Sequence, residues 1–447
     1  MRFKIERMAS DGEGIAYYKK KPVFIYYAYL GEEVEAQLFV NKRGAYEANL
    51  IDVIKKSKAR VDVSWPHYMK SGSVNLLHIN YAEQLKYKRD VVNFLLTTNL
   101  KNETNNVKLG KTIPSDNTLY YRNKSYIPLI SINGKNQMAN YLRGSNLLFP
   151  VKELIVEEKA ITSTVKSVLP LLDKHKIAAY DFKTKKGHVI SLSLRTNLKG
   201  EIQLTFVLKQ KTDLTHLIND INKTLKNVVS IYQNYVPEYK NSPDIYEGNL
   251  KYLSGNKYLE MEIGGFKFYL TPFAFFQLNT KQAEKLYNMI IEKANFSKND
   301  IVLDAYSGVG TISTFISSHV KEVVAVESVK AAVNDMNYSL KVNKINNVKT
   351  ITGDFVKIVD YLKQRFDKMI FNPPRIGLGN EVCKYILKNS PKTVVYVSCN
   401  PKTLVSDLQI LTKKYYVESI SPFDMFPQTS QIENIVILKL KNEYTKK

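Results

Sequence analysis

The apolar run Val394-Val395-Tyr396-Val397 breaks off into Ser398-Cys399-Asn400-Pro401. A β-branched run ending in turn-forming residues predicts a buried strand that feeds a loop. Open α/β sheets carry their chemistry at the carboxyl ends of such strands. Cys399 is one of only two cysteines in the chain. Most free cysteines are small buried hydrophobes. One at a strand end is instead a candidate nucleophile, because a thiolate attacks electrophilic carbon.

Three acids stand at three other strand ends. The predicted strand Ile301–Ala305 carries Asp304 and runs into Tyr306-Ser307-Gly308-Val309-Gly310-Thr311. Its glycines admit close approach of backbone to a ligand. The order D-x-x-x-G-x-G departs from the dinucleotide fingerprint, whose third glycine would fall at Ser313. A carboxylate before the turn repels a pyrophosphate, so a cationic, phosphate-free ligand suits it. S-adenosylmethionine, with its sulfonium and ammonium, is such a ligand. Glu327 closes the next predicted strand, about 20 residues on, where an acid accepts from both ribose hydroxyls. Asp354 closes the third, placed to receive an adenine amino group. A lone acid is usually a surface carboxylate; three at successive strand ends form a pattern. Asn372 follows the fourth strand in Phe371-Asn372-Pro373-Pro374-Arg375, offering one acceptor and one donor. The two prolines stiffen that loop.

The elements that must position these residues fall into three stretches. Over 263–447, strands are predicted at Ile301–Ala305, Val323–Val326, Val348–Ile351, Lys368–Phe371, Thr393–Val397, Val417–Ile420 and Ile435–Leu440. Helical patterns lie between most of them, which predicts an α/β doubly wound parallel sheet. Right-handed crossovers would bring the strand-end loops to one edge. Residues 58–262 read as an α+β region, with helices over Tyr81–Thr97 and Thr212–Asn227 and strands within 118–129 and 188–209. Residues 1–57 hold short strands at Gly14–Tyr18, Val23–Tyr27, Glu33–Val40 and Tyr46–Val53. They predict a small barrel of the oligonucleotide-binding kind.

A length of 447 residues accommodates two or three domains. Lys and Arg number 65 against 42 Asp and Glu, a net charge of +23. That surplus favours a polyanionic partner, nucleic acid first and an anionic membrane face second. Thirty tyrosines and 19 phenylalanines supply stacking surfaces for unpaired bases. No apolar run approaches the ~20 residues of a membrane span. The start, Met1-Arg2-Phe3-Lys4, lacks the apolar core of a signal peptide. Two cysteines exclude a disulfide framework, so a reducing cytoplasm is expected. Nothing in the pattern marks an obligate protein partner.

The opening Ile5-x-x-Met8-x-x-Asp11-Gly12-Glu13-Gly14-Ile15-Ala16-Tyr17, with Gly31-Glu32 later, resembles the TRAM domain. TRAM domains are RNA-binding barrels attached to RNA-modifying enzymes. Further motifs span the rest of the chain. They are Phe275-Phe276-Gln277-Leu278-Asn279, the turn Asp304–Thr311, Asn372-Pro373-Pro374-Arg375, Ser398-Cys399-Asn400-Pro401, and Asp424-Met425-Phe426-Pro427-Gln428-Thr429 leading to Glu433. Together they resemble the RNA 5-methyluridine (uracil-C5) methyltransferase family, of the 23S rRNA type. The resemblance implies a class I S-adenosylmethionine-dependent domain over 263–447, behind a TRAM-like barrel and a middle domain. It implies that Cys399 adds to carbon 6 of uracil and that Glu433 removes the carbon 5 proton. It implies a methyl donor held by Gln277, Tyr306, Glu327 and Asn372, with Thr311 and Asp354 as further contacts. The barrel leans towards 23S rRNA, because transfer-RNA relatives commonly lack it.

Several positions depart from the family. Asn372 stands where aspartate is usual, Ser307 where cysteine is frequent, and Gln431 where histidine is common. The three cysteines that hold an iron–sulfur cluster in many relatives correspond to Trp65, Ser71 and Val74, and the fourth to Leu154. A cluster needs thiolates, so none is expected. His67 and His78 lack further ligands, so no metal site is expected either. Three other readings compete: a tRNA uridine-C5 methyltransferase, an exocyclic-amine methyltransferase, and a catalytically silent RNA-binding or ribosome-assembly protein. The amine reading rests on Asn372-Pro373-Pro374, but Arg375 occupies the place of its aromatic and Cys399 is left without a task. The silent reading rests on the lost cluster and Asn372.

Overall fold

The structure, a computed structural model, describes residues 1–100, 107–238 and 248–441. It divides into two compact units. One comprises Met1–Thr118, Glu292–Asn295 and Leu362–Lys447, and the other Leu119–Ile291 and Phe296–Tyr361.

The first unit opens with a six-stranded sheet in the order Arg2–Lys4, Glu33–Val40, Tyr46–Lys55, Lys21–Ile25, Gly14–Tyr18, Arg7–Met8. Phe3, Ile5, Ala16, Val23, Ile25, Val34, Ala36 and Ala48 meet in one core, as the period-two alternation of half-buried strands requires. The strand expected over Val23–Tyr27 runs instead over Lys21–Ile25. Tyr27 is left-handed, at φ +62°, which ends the extended run. The strands Arg2–Lys4 and Arg7–Met8 are too short to show a period in sequence.

The helix Tyr81–Leu100 buries Tyr87, Val91, Val92 and Leu96, and with them the polar Gln84 and Lys88. Beyond it, this unit holds strands ordered Lys368–Phe371, Thr393–Ser398, Glu433–Leu440, Tyr415–Phe423, Lys108–Leu109. Lys368–Phe371 and Thr393–Ser398 are parallel. The parallel rhythm then reverses: Glu433–Leu440 inserts antiparallel between Thr393–Ser398 and Tyr415–Phe423. Tyr415–Phe423 and Glu433–Leu440 form a hairpin with no crossover helix, and antiparallel pairing follows. The start of the last strand therefore lies at the carboxyl end of Thr393–Ser398.

The second unit holds a seven-stranded sheet from Leu148–Pro150 at one edge to Asn249–Gly255 at the other. Its strands Val189–Thr196 and Ile202–Leu208 are buried at every residue. Helices Lys159–Lys174 and Thr215–Thr224 pack on them through Ile161, Val165, Val168, Leu172, Leu217 and Ile221. A hairpin, Leu259–Ile263 with Phe266–Leu270, leads on to three parallel strands, Ile301–Ala305, Glu322–Glu327 and Val348–Thr352. Helices Thr311–Ser317 and Lys330–Val342 connect these three. No described helix is long and apolar enough to cross a membrane.

Candidate active site

The second unit gathers most of the expected donor-binding residues. Ile301–Ala305 ends in Tyr306, held left-handed at φ +61°, a conformation uncommon for a residue with a side chain. Glu327, at the end of the neighbouring strand, accepts the Gly308 N–H at 2.9 Å and the Val329 N–H at 2.8 Å. Its carboxylate thus shapes the glycine turn and keeps lone pairs for hydroxyl donors. Asp354 caps the helix Phe355–Ile358 by accepting the Val356 N–H at 3.1 Å. Its neighbour Phe355 turns inward, 5.8 Å from the Tyr306 ring, so two strand ends share an aromatic contact. The hydroxyl of Thr311 is committed to Tyr287 at 3.0 Å.

Asp304 is fully buried, and burial lifts its carboxyl to about 7. Ser313 donates to it at 2.5 Å, which explains a serine where a dinucleotide site would carry glycine. The other Asp304 oxygen and the Ser307 hydroxyl are buried without a partner. A Cβ at Gly308 would meet nothing within 4 Å. The turn at Gly308 thus leaves room for a ligand, while Asp304 lies beneath it in the core.

Gln277 is buried at 6% exposure, in a segment fixed through its backbone. Asn123 donates to the Gln277 carbonyl at 2.8 Å, Lys124 to that of Pro272 at 2.7 Å, and Arg195 to that of Ala274. Asp335 accepts both the amide and the hydroxyl of Thr271. Gly310 closes the turn at φ +76°, and a Cβ there would sit 2.5 Å from the Met336 sulfur. Gly310→Ala should therefore lose more than the about 1–2 kcal/mol of a left-handed alanine, as read by urea denaturation. Gly308→Ala, with open space around it, should lose only that backbone part.

The first unit holds the candidate thiol and acid. Ser398 pairs with Asn434 at the last rung between their strands, so the next positions along the two chains are Cys399 and Glu433. Glu433 is 4% exposed, and burial raises its carboxyl to about 8. Cys399 is half-buried. Burial and then the Glu433 charge push its thiol up to about 11, against the opposing pull of Arg375. Burial thus favours the protonated form of both groups. Asn372 is partly exposed, and its amide has no hydrogen-bond partner among the described residues.

Arg375 is held from behind. Asn400 and Thr403 donate to its carbonyl at 2.9 and 3.3 Å. The buried Asp407 accepts the N–H groups of Leu378 and Gly379 and the hydroxyl of Tyr396. The second cysteine, Cys383, lies fully buried beside Asp407, and burial drives its thiol up to about 12. It is a packing residue.

A further set of residues seats the loop before Glu433. Lys88 donates to Asp424 at 2.5 Å, and both side chains are wholly buried. Gln84 and Gln428 exchange two hydrogen bonds, 2.9 and 3.0 Å. Asn75 and Ser430 exchange two more, 2.9 and 2.8 Å. Sequence reading singled out Asp424 and Gln428 within a motif but missed their partners Lys88 and Gln84 and the Asn75–Ser430 pair. The helical spacing of Gln84 and Lys88 put polar residues on the apolar face, which was the available signal.

At the positions of the lost cysteines, Ser71 and Val74 are buried and Trp65 is partly exposed. Tyr27 donates to the Ser71 carbonyl at 2.5 Å. His78 is fully buried edge-on to Tyr27, and burial lowers it to about 3, so it stays neutral. Among the described residues no three His, Cys, Asp or Glu side chains are grouped to hold a metal ion.

Parallel strands, a glycine turn and acids at successive strand ends are the architecture of a class I methyltransferase domain. A model of the tRNA (uracil-5-)-methyltransferase family matches residues 81–441. An uncharacterized RNA methyltransferase of Listeria monocytogenes is 35% identical over 447 residues, covering 98% of this chain and 97% of the relative. Another, of Lactobacillus johnsonii, is 33% identical over 445 residues with the same coverage, 98% and 97%. The solved tRNA (uracil-54, C5)-methyltransferase of Pyrococcus abyssi, in complex with S-adenosyl-L-homocysteine, shares the fold with a TM-score of 0.80. It is 22% identical, over 98% of this chain and 99% of that one. The chain belongs to the tRNA (uracil-5-)-methyltransferase family, and it is an RNA methyltransferase.

Proposed function

We propose that this enzyme methylates carbon 5 of uridine in RNA through a covalent bond between Cys399 and carbon 6. What supports the reading is that Cys399 and Glu433 each stand one residue beyond the Ser398–Asn434 rung and that the Glu433 charge acts on the thiol. Gln277, Tyr306, Thr311, Glu327, Asp354 and Asn372 would hold S-adenosylmethionine, which supplies an electrophilic methyl group when bound. Cys399 adds to carbon 6 as the thiolate, and carbon 5 becomes enolate-like. Arg375 favours that thiolate; the thiol proton passes to solvent before attack, and Glu433 must have lost its own proton to serve as the base. Once carbon 5 carries its methyl group, Glu433 takes the carbon 5 proton. The electron pair of that bond reforms the ring double bond and expels Cys399.

The base must leave its stack to reach the thiol, so an unpaired or locally opened target is expected. Residues 1–57 act as an RNA-binding barrel, 58–262 as a middle domain and 263–447 as the catalytic domain. The favoured substrate is 23S rRNA. The barrel does not by itself separate the two RNA classes, because the Pyrococcus protein, named for tRNA, aligns over 98% of this chain. That alignment supports tRNA as the second reading. Two unpaired cysteines fit a cytoplasmic enzyme.

A substrate RNA carrying 5-fluorouridine at the target should become covalently trapped, since fluorine cannot leave as a cation. Cys399→Ala should abolish both the trapped species and turnover. Wild-type rates in Cys399→Ala would refute the mechanism. Mapping 5-methyluridine in ribosomal and transfer RNA of a deletion strain separates the two substrates.

A further inference from the structure

We propose that a tyrosine-walled cavity in the second unit binds an unpaired RNA nucleotide away from the one that is methylated. The proposal rests on the reading of the chain as an enzyme acting on RNA. The cavity measures about 770 Å³ and is lined by Tyr252, Tyr258, Tyr269 and Tyr338, with Lys199 and Lys257 at its edge. That size lies within the ~300–1,000 Å³ of small-ligand sites.

The tyrosines are arranged as a stacking surface rather than as a core. Tyr258 and Tyr338 lie 5.2 Å apart with an interplanar angle of 12°. Tyr269 meets Tyr338 edge-on at 5.1 Å. Tyr252 and Tyr338 keep 44% and 43% of their surface exposed. Large half-exposed rings that line a hollow offer π-faces to any base that enters. Two of the hydroxyls are already used: Tyr269 donates to Glu260 at 2.7 Å and Tyr252 to the Gly255 carbonyl. At those two positions ring surface is what remains for a ligand.

The charge at the rim is mixed. Lys257 lies 5.7 Å over the Tyr258 ring, a cation at the aromatic cluster. Lys199 and Lys267 approach Glu260 at 3.3 and 3.5 Å and remain more than 45% exposed, at 62% and 49%. Glu201 accepts from Asn197. Among the lining residues Lys199 and Lys257 stand against Glu201 and Glu260, so the charges balance and the aromatic rings carry the contact.

The cavity is tied by chain to the donor-binding elements. Tyr338 sits on the helix Lys330–Val342, which begins just after Glu327. At 1.5 Å per residue it lies about 12 Å along that helix from its start. Tyr269 is on the strand that leads directly into the Thr271–Gln277 segment.

The test uses the full-length enzyme and single-stranded oligoribonucleotides that carry the target uridine and a distal 5-iodouridine. Tyr252→Leu with Tyr338→Leu keeps bulk but removes the π-faces. RNA affinity by fluorescence anisotropy should fall roughly 5- to 150-fold, the range of one base–aromatic stack. Tyr252→Phe with Tyr338→Phe should retain affinity within about twofold. Photo-cross-links from the iodouridine should map to the peptides holding Tyr252, Tyr258 or Tyr338. Equal RNA affinity in the leucine variant with no such cross-link overturns the proposal. Trapping at Cys399 with 5-fluorouridine is read separately, so failure of the methylation chemistry is distinguishable from failure of this cavity.

Discussion

Glu433→Gln should let the covalent RNA adduct form and then fail to resolve it. The glutamine keeps the shape but cannot take the carbon 5 proton. Turnover should fall about 10²–10⁴-fold, the usual worth of a positioned base, while a denaturant-resistant protein–RNA species accumulates with ordinary uridine. Gel mobility after urea treatment reads it directly. The acid titrates near 8, so wild-type turnover should climb with pH up to about that value, and the variant should lose that limb. The stability sign runs the other way. The folded carboxyl sits above its unfolded value of 4.5, so its favourable contribution is present in full below 4.5 and is lost as pH rises through 8. Glu433→Gln should consequently gain stability over wild type above pH 8 and match it near pH 4. A variant that turns over normally, or shows no adduct, would remove Glu433 from the mechanism.

Lys88→Met should be among the most damaging changes outside the thiol and acid. It leaves Asp424 charged, wholly buried and without its ammonium partner. Burial alone pushes Lys88 towards its neutral form, and Asp424 is what opposes this. Breaking one side of such a pair costs about 3–5 kcal/mol, whereas replacing both with apolar residues is often neutral. The double variant Lys88→Met with Asp424→Leu should therefore recover most of the stability by urea denaturation. If the pair also aims the loop that carries Glu433, turnover in the double variant should stay depressed, with proton removal slowed and adduct formation intact. Full recovery of turnover would reduce the pair to a packing device.

Much of this architecture could be read from local signals. Strands Ile301–Ala305 and Lys368–Phe371 match their expected bounds because continuous apolar runs meet abrupt turn residues. Cys399 stood out for the same reason, and Glu327 because its strand ends on an acid. The antiparallel sense of Glu433–Leu440 was hidden, since an apolar strand reads alike in either direction. Direction is decided by a partner strand about 40 residues away, from Ser398–Asn434 to Thr393–Lys439, beyond any local window. The burial of Asp304 was hidden too, since a strand-end acid looks the same whether it faces ligand or core. Lys88, Gln84 and Asn75 were missed because their partners lie more than 300 residues on, at separations of 336, 344 and 355. Single-sequence periodicity holds no information on such pairings.

Those long separations bear on how the enzyme is made. During synthesis the helix Tyr81–Leu100 leaves the ribosome long before Asp424 is translated. At ~5–20 residues per second, Lys88 waits on the order of half a minute for its counter-ion. Until then a polar stripe on that helix can stay hydrated, and the seat of the loop before Glu433 does not exist. On the proposed mechanism, a chain that stalls or is clipped between Cys399 and Glu433 holds the thiol without the acid and should not turn over.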